Sequence, residues 1–308
     1  MEDMREACKI GDVTNYFTPL SRDPLGSGSF GTVFKAKVLP AAYRDLPAFM
    51  PGGIAEHVDV VAIKTIDLGK FYCQYKWKYH NIIRHFMTEI NALRKLHSPW
   101  TMDYYGCIYS EDTLELYIIM EFIDGFPLAW RIHPKRHMRL AVKNDILYKL
   151  ALGIQYMHSK GIIHLDLKPA NIMLGIGDAY VKIIDYGFSC VMDQMKCNNK
   201  NGTPHYMDPK NTTYTTNEEI KNMDWWAFGQ IAWATYTGGE VNKSGAVGHV
   251  VTFKKVDRGV LEKAGVNTII IDILEALIDP DNSYLERPSP DSIVAAFEQA
   301  VAADPPDA

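Results

Sequence analysis

The spacing of apolar and polar positions separates a strand-rich first third of the chain from a helix-rich remainder. Thr32-Val33-Phe34-Lys35-Ala36-Lys37-Val38 alternates with a period of two, as a half-buried strand does, and residues 58–66 form a mostly apolar run that suits a buried strand. From Asn81 the period changes: Ile82, Phe86, Ile90, Leu93 and Leu96 recur at spacings of three and four and predict one face of a helix. Two more strands are expected over residues 102–110 and 114–120, with a turn at Glu111-Asp112. Residues 126–163 read as helical apart from a gap around Pro134, and Leu140, Ile146, Leu147, Leu150, Ile154 and Met157 form a stripe that ends at Gly161. Two β-rich pieces, residues 172–174 and 180–184, flank the turn Gly175-Ile176-Gly177-Asp178. Asp224 opens an apolar helix, and further helices are expected over residues 268–278 and 289–302.

The breaks in the pattern are as informative. Residues 39–59 carry Pro40, Pro47 and Pro51-Gly52-Gly53, too much proline for a central strand, and predict a surface insertion. A short helix is expected over residues 4–9, broken by Gly11-Asp12, while residues 304–308 read as a disordered tail. Over residues 70–85, Phe71, Tyr72, Tyr75, Trp77 and Tyr79 interleave with Lys70, Lys76, Lys78 and His80. Such a mixture can stack bases or dock acidic peptides; the plainer reading is an approach to the helix whose aromatics pack on the body of the protein.

Composition narrows the class. A chain of 308 residues, 47% hydrophobic, builds a substantial core, and a net charge of −5 gives no footprint for nonspecific nucleic-acid binding. No apolar run reaches about 18 residues, and the start Met1-Glu2-Asp3 lacks the basic and apolar regions of a signal peptide. A soluble, cytoplasmic protein is expected, with the nucleus left open, no membrane span and a monomeric state. The five cysteines, Cys8, Cys73, Cys107, Cys190 and Cys197, are odd in number and form no C-x-x-C pair, which argues for free thiols over disulfides or a zinc site.

The chemistry concentrates in His164-Leu165-Asp166-Leu167-Lys168-Pro169-Ala170-Asn171 and in Asp185-Tyr186-Gly187. The first stretch sets a carboxylate, an ammonium and a carboxamide on a short extended loop. Asp185 and Asn171 offer hard oxygen ligands for Mg²⁺, Lys168 can neutralise a transferring phosphoryl group, and Asp166 is left to accept a proton. Upstream, Gly26, Gly28 and Gly31 make G-x-G-x-x-G. A dinucleotide site needs a helix after the last glycine, whereas here a strand follows, so the motif reads as a flap whose backbone N–H groups approach phosphates. Lys64, inside Val61-Ala62-Ile63-Lys64, is costly in a buried strand without a matching carboxylate. Taken singly, each has a bland alternative: a polar hairpin, a flexible glycine turn, an edge-strand lysine reaching water.

In this order, the motifs resemble those of the eukaryotic protein kinases: the glycine loop, the V-A-I-K strand, the H-R-D-x-x-x-x-N loop and D-F-G. The resemblance covers residues 25–302. It implies an α+β, two-lobed protein kinase fold, with a small β-rich N-lobe carrying one main helix and a larger, mostly helical C-lobe. By it, residues 1–20 are an N-terminal extension, 21–123 the N-lobe with the insertion at 39–59, 124–303 the C-lobe and 304–308 the tail.

It also implies ATP and Mg²⁺ as cofactors and a protein substrate. Gly26, Ser27, Gly28, Ser29, Phe30 and Gly31 would cover the phosphates, and Lys64, paired with Glu89, would hold them. Val33, Ala62 and Met173 would join the ATP-binding residues, with Met120 behind the adenine and the backbones of Glu121 and Ile123 at its edge. Asn171 and Asp185 would hold Mg²⁺, Asp166 would deprotonate the substrate hydroxyl, and Lys168 would stabilise the transferring group. Gly202-Thr203-Pro204-His205-Tyr206-Met207-Asp208-Pro209-Lys210 is similar to G-T-x-x-Y-x-A-P-E, in which the Thr203 hydroxyl would bond Asp166 and Lys168, while Asp224 would tie down the loop backbone. Lys168 and Thr203 resemble the Ser/Thr-specific pattern.

Three positions depart from the family. Leu165 stands for the loop Arg, which makes residues 164–172 similar to the same loop of the Mos kinase. Tyr186 stands for Phe and is expected to pack as Phe does, with a hydroxyl that needs a partner. Lys210 stands for the Glu that pairs with a buried Arg, matched here by Arg287, so either Arg287 finds another acid or Lys210 swings outward. Leu165 cannot bind a phosphate as the Arg does, and residues 191–201 contain no Ser, Thr or Tyr. Activity is therefore expected without phosphorylation of that stretch. The alternative is a pseudokinase scaffold that binds partners without phosphoryl transfer; the presence of Lys64, Glu89, Asp166, Asn171 and Asp185 favours the enzyme.

Overall fold

The period-two stretches become strands of one sheet, and the period-three-and-four stretches become helices packed on it or on one another. The structure, a computed structural model, describes residues 2–28, 31–45, 57–74, 79–132, 136–178, 180–194, 196–239 and 255–306. It divides into two units, Met1–His97 with Met102–Asp124, and Ser98–Thr101 with Gly125–Ala308.

The first unit runs α1 (Glu2–Ala7), β1 (Lys9–Ile10), β2 (Phe17–Pro19), β3 (Gly26–Gly28), β4 (Gly31–Val38), α2 (Pro40–Asp45), β5 (Val60–Asp67), α3 (Leu68–Gln74), α4 (Tyr79–Lys95), β6 (Tyr104–Ser110) and β7 (Glu115–Glu121). The strands form one sheet in the order β1-β6-β7-β5-β4-β2, with β3 hairpinned onto β4. Every pairing is antiparallel except β1 on β6. Phe17, Ala36, Val38, Val61, Ile63, Ile108 and Ile119 pack into one cluster, and α4 buries Phe86, Ile90 and Leu93. At about 1.5–3 kcal/mol for each large buried side chain, this apolar burial dominates the unit's cohesion.

The structure refines one expectation here and agrees with the plainer reading of the basic-aromatic stretch. The insertion is anchored: Ala42 of α2 is 1% exposed within the sheet cluster, and the Tyr43 hydroxyl donates to the Val58 carbonyl at 2.9 Å. The rest of it, residues 46–56, lies outside the described residues. Part of the basic-aromatic stretch is α3, whose Phe71 packs edge-on against Phe86 with ring centroids 5.8 Å apart, while residues 75–78 lie outside the described residues.

The second unit runs β8 (Gly125–Pro127), α5 (Leu128–Arg131), α6 (Leu140–Ser159), β9 (Ile162–Ile163), β10 (Ile172–Gly175), β11 (Val181–Ile183), β12 (Cys190–Val191), α7 (Asn217–Thr237), α8 (Arg258–Lys263), α9 (Thr268–Leu277) and α10 (Pro290–Ala303). Its centre is α6, whose Ile146, Leu147, Leu150, Ile154 and Met157 are fully buried, as the stripe predicts. Residues 126 and 127, read as the start of a helix, instead belong with Gly125 to a strand antiparallel to β10. Gly125 makes this possible, because a Cβ there would lie 1.9 Å from the Leu174 carbonyl oxygen. The helix expected to open at Asp224 begins seven residues earlier: a Thr216–Glu219 capping box starts α7 at Asn217 and leaves Asp224 in its interior. Among the described residues, no helix is long and apolar enough to cross a membrane.

The cysteines also need correction. Cys8 is bonded to Cys107 and Cys190 to Cys197, leaving Cys73 exposed and unpaired. Linear spacing hid the first pair, which is 99 residues apart and is brought together by the parallel pairing of β1 on β6.

Candidate active site

The loop after β9 is organised by one buried carboxylate. Asp224 is 1% exposed and accepts from the backbone N–H groups of His164 and Leu165 and from His158 Nε2, all at 2.8 Å. Burial pushes its pKa up, but the interactions with His158 and His164, led by the His158 hydrogen bond, outweigh this and hold it below the usual carboxylate value. Pinned in this way, Leu165 sits at φ 66°, in the left-handed region that costs a non-glycine residue strain. His164 Nε2 faces the Ile184 carbonyl at 3.0 Å, which can only accept, so the ring proton is on Nε2. Nδ1 is then free to accept from the Asp166 N–H at 3.3 Å.

These contacts present Asp166 with its polar neighbours assembled. Thr203 Oγ1 donates to Oδ1 at 2.6 Å, Lys168 Nζ donates to Oδ2 at 2.7 Å, and Lys168 also reaches Thr203 Oγ1 at 2.9 Å. The Asn171 amide nitrogen donates to the Asp166 carbonyl at 2.9 Å, which leaves the amide oxygen as the group able to meet a cation. Ile184 N–H donates to the Asn171 carbonyl at 3.0 Å, fixing the residue before Asp185 against Asn171. Asp185 itself is exposed and held at φ 62°. Tyr186, 1% exposed, packs as a Phe would and donates its hydroxyl to the Ile183 carbonyl at 3.1 Å, so the extra oxygen is satisfied. Met173 lies on β10, opposite Pro127 and Lys182.

In the first unit, Lys64 on β5 donates to Glu89 Oε1 of α4 at 2.6 Å, and the two side chains are 12% and 2% exposed. Glu89 Oε2 is buried and has no hydrogen-bond partner among the described residues. Cross-strand register puts Val33 opposite Lys64 and Ala62 opposite Met120. Opposed residues share a face, as do residues two apart on one strand, so Val33, Ala62, Lys64 and Met120 line the same side of the sheet. Glu121 pairs with Val61 at the end of β7, and Ile123 follows two residues later. Gly26, Ser27 and Gly28 are exposed in the hairpin, and Gly31 crosses β5 so closely that a Cβ would meet the Thr65 carbonyl oxygen at 2.5 Å. Ser29 and Phe30 lie outside the described residues.

The acid that Arg287 needs is Asp208, which the sequence reading did not single out. Arg287 pairs with both Asp208 oxygens and donates to the Tyr214 hydroxyl at 3.0 Å, and Tyr214 in turn donates to Asp208 at 2.5 Å. The Arg and Asp side chains are 1% and 0% exposed. Burial and the Asp208 charge push the Tyr214 pKa up, so the hydroxyl keeps its proton. The signal was in the sequence, since Asp208 is the only acid among residues 203–210. His158 and Tyr214 carried no comparable mark.

A β-sheet unit with one long helix and a second, mainly helical unit are the two parts of the α+β protein kinase fold. The family model for the protein kinase domain matches residues 52–295, well over half of the chain, and the chain belongs to that family. The glycine hairpin precedes the matched span. Among curated relatives, an Aurora kinase of Eremothecium gossypii is 26% identical over 70% of this chain and 51% of its own length. The serine/threonine-protein kinase ULK3 of Rattus norvegicus is 29% identical over 70% of this chain and 40% of its own. The cAMP-dependent protein kinase type 3 of Saccharomyces cerevisiae is 28% identical over 57% and 44%. The chain thus spans about half the length of these relatives.

Proposed function

We propose that this chain is an active protein kinase that transfers the γ-phosphoryl group of ATP to Ser or Thr hydroxyls of protein substrates, without phosphorylation of residues 191–201. The observation that carries this reading is the Asp166 carboxylate, held by Thr203 and Lys168 at 2.6 and 2.7 Å beside the Asn171 amide. ATP would supply the phosphoryl group and Mg²⁺ would neutralise charge on the phosphates. The donor chemistry fits: Mg²⁺ is commonly held by one or two carboxylates, waters and phosphate oxygens, and Asp185 with the Asn171 amide oxygen offers such a partial set.

Asp166 orients the substrate hydroxyl and accepts its proton. Lys168 places a positive charge beside the transferring group. Lys64, steadied by Glu89, offers an ammonium to the nucleotide phosphates from the same sheet face as Val33, Ala62 and Met120. Backbone N–H groups of the Gly26–Gly31 hairpin suit the phosphates for lack of side chains, and the backbones of Glu121 and Ile123 suit a base edge. Met173 would add an apolar contact to the base.

The three family departures do not favour a scaffold. Leu165 packs in an apolar cluster, the Tyr186 hydroxyl is satisfied, and Asp208 supplies the acid that Lys210 lacks. Hydrolysis of the labelled product of a mixed-protein assay tests the residue class: phosphoserine and phosphothreonine are expected, at the same rate after phosphatase pretreatment of the enzyme. Phosphotyrosine as the main product, or loss of activity on that pretreatment, would contradict the reading.

A further inference from the structure

Residues 191–201 contain no hydroxyl side chain to phosphorylate, and the residue before Asp166 is Leu165, so that loop position offers no cation to receive a phosphate. It has a covalent cross-link. Cys190, on β12, lies opposite Ile163 of β9, two residues before Leu165, and is bonded to Cys197. Both cysteines are buried, at 2% and 5% exposure, in one cluster with Leu165, Tyr214, Ile220 and Met223.

Hydrogen bonds extend this anchor toward the reacting groups. Asn217 of α7 accepts from the Cys197 N–H at 3.0 Å and donates to the Met192 carbonyl at 3.1 Å, gripping both sides of the loop. Asn199 and Asn211 exchange amide-to-carbonyl bonds at 2.7 and 2.9 Å. Gly202, at φ 126°, then passes under Leu165 so tightly that a Cβ would lie 2.7 Å from the Leu165 carbonyl oxygen. One residue later Thr203 donates to Asp166.

We propose that the Cys190–Cys197 bridge, packed on Leu165, is a positioning element for Asp166: it fixes Gly202 and Thr203, and phosphoryl transfer depends on the thiol–disulfide state of this pair. The proposal rests on the phosphotransfer reading above. Glutathione disulfide is the oxidant class. One cysteine thiolate attacks it and releases the first glutathione thiol; the second thiolate attacks the mixed disulfide and releases the other, so two electrons and two protons leave the protein. Dithiothreitol reverses the step and becomes its cyclic disulfide. The bridge closes a short loop and so removes conformational freedom next to Thr203 that the reduced segment regains.

The test uses the full chain with Cys8→Ala and Cys73→Ser, which leaves Cys107 without a partner and Cys190–Cys197 as the pair to titrate. Samples held in glutathione disulfide or dithiothreitol, their thiols counted by alkylation and mass, are compared in steady-state kinetics and in backbone hydrogen exchange over residues 198–207. Reduction should lower kcat on the order of tenfold, leave KM for ATP unchanged and speed exchange over 198–207, all restored on reoxidation. Cys190→Ala/Cys197→Ala should show the reduced values in both buffers; if that variant does not fold, the redox comparison stands without it. Exchange that ignores the redox state, failure of glutathione disulfide to form the bridge, or an unchanged kcat in a chain that transfers phosphate would overturn the proposal. A chain silent in both states whose exchange still responds would support the positioning role and overturn the phosphotransfer reading instead.

Discussion

Asp224 shows how much can depend on one side chain that touches no substrate. It holds the N–H groups of His164 and Leu165, which places Asp166 one residue on. Asp224→Ala leaves two buried N–H groups unpaired and should cost about 3 kcal/mol of stability. The pH dependence has a definite sign. The folded pKa lies below the ordinary value of 3.8, so the contribution is complete above that value and is lost as pH falls through the lower folded one. In urea unfolding, wild type and Asp224→Ala should therefore differ most near neutral pH and converge below about pH 3.8; a gap that widens on acidification would refute the assignment. Asp166, Lys168, Asn171 and Asp185 stood out in the sequence because their chemical types are unusual at such spacing, and Lys168 and Asn171 both donate to the Asp166 carboxylate. His158 was not, because a histidine at the end of an apolar helix looks like any other until α7 brings Asp224 to it.

At the scale of elements, the turn before α7 shows a charge that moved along the chain. Lys210 occupies the position where an acid was expected, and its charge acts on Asp279 and Glu286, while Asp208 takes Arg287. Asp208→Ala should therefore destabilise the protein by about 3–5 kcal/mol, since it strands a buried guanidinium. Lys210→Ala should stay within about 0.5 kcal/mol of wild type. Thermal or denaturant unfolding of the pair checks this, and a larger loss at Lys210 would reverse the assignment. Regular elements were legible where a period runs long enough, as in α4, α6 and β4. Short elements set by tertiary contact were not. Strand β8 is only three residues long, and what makes it a strand is the close approach of Gly125 to Leu174, a partner 49 positions away that no local pattern announces. The start of α7 was missed: Thr216 and Glu219 form a capping box, but the reading followed only the apolar run after Asp224.

At the scale of the molecule, the order of motifs carried the fold. Each motif alone admits a bland reading, but a glycine turn, a buried lysine, a helix glutamate and two acidic loops in succession resemble one family, and the chain belongs to it. The two disulfides were illegible for different reasons, one topological and one local. Pairing of Cys8 with Cys107 follows from β1 adding to the edge of the sheet, while Cys190–Cys197 closes a local loop over a separation of 7 residues that no C-x-x-C spacing marks. Whether this fold does chemistry is decided by transfer of labelled phosphate from ATP with Mg²⁺ to a mixed protein substrate, comparing wild type with Asp166→Asn and Lys64→Met. The account predicts transfer by wild type and a loss of about 10²–10⁴-fold for Asp166→Asn with nucleotide binding retained, as expected for removal of a general base. Lys64→Met should lose transfer as well. A wild-type chain that binds ATP and Mg²⁺ yet labels nothing, or transfer that survives Asp166→Asn unchanged, would contradict it.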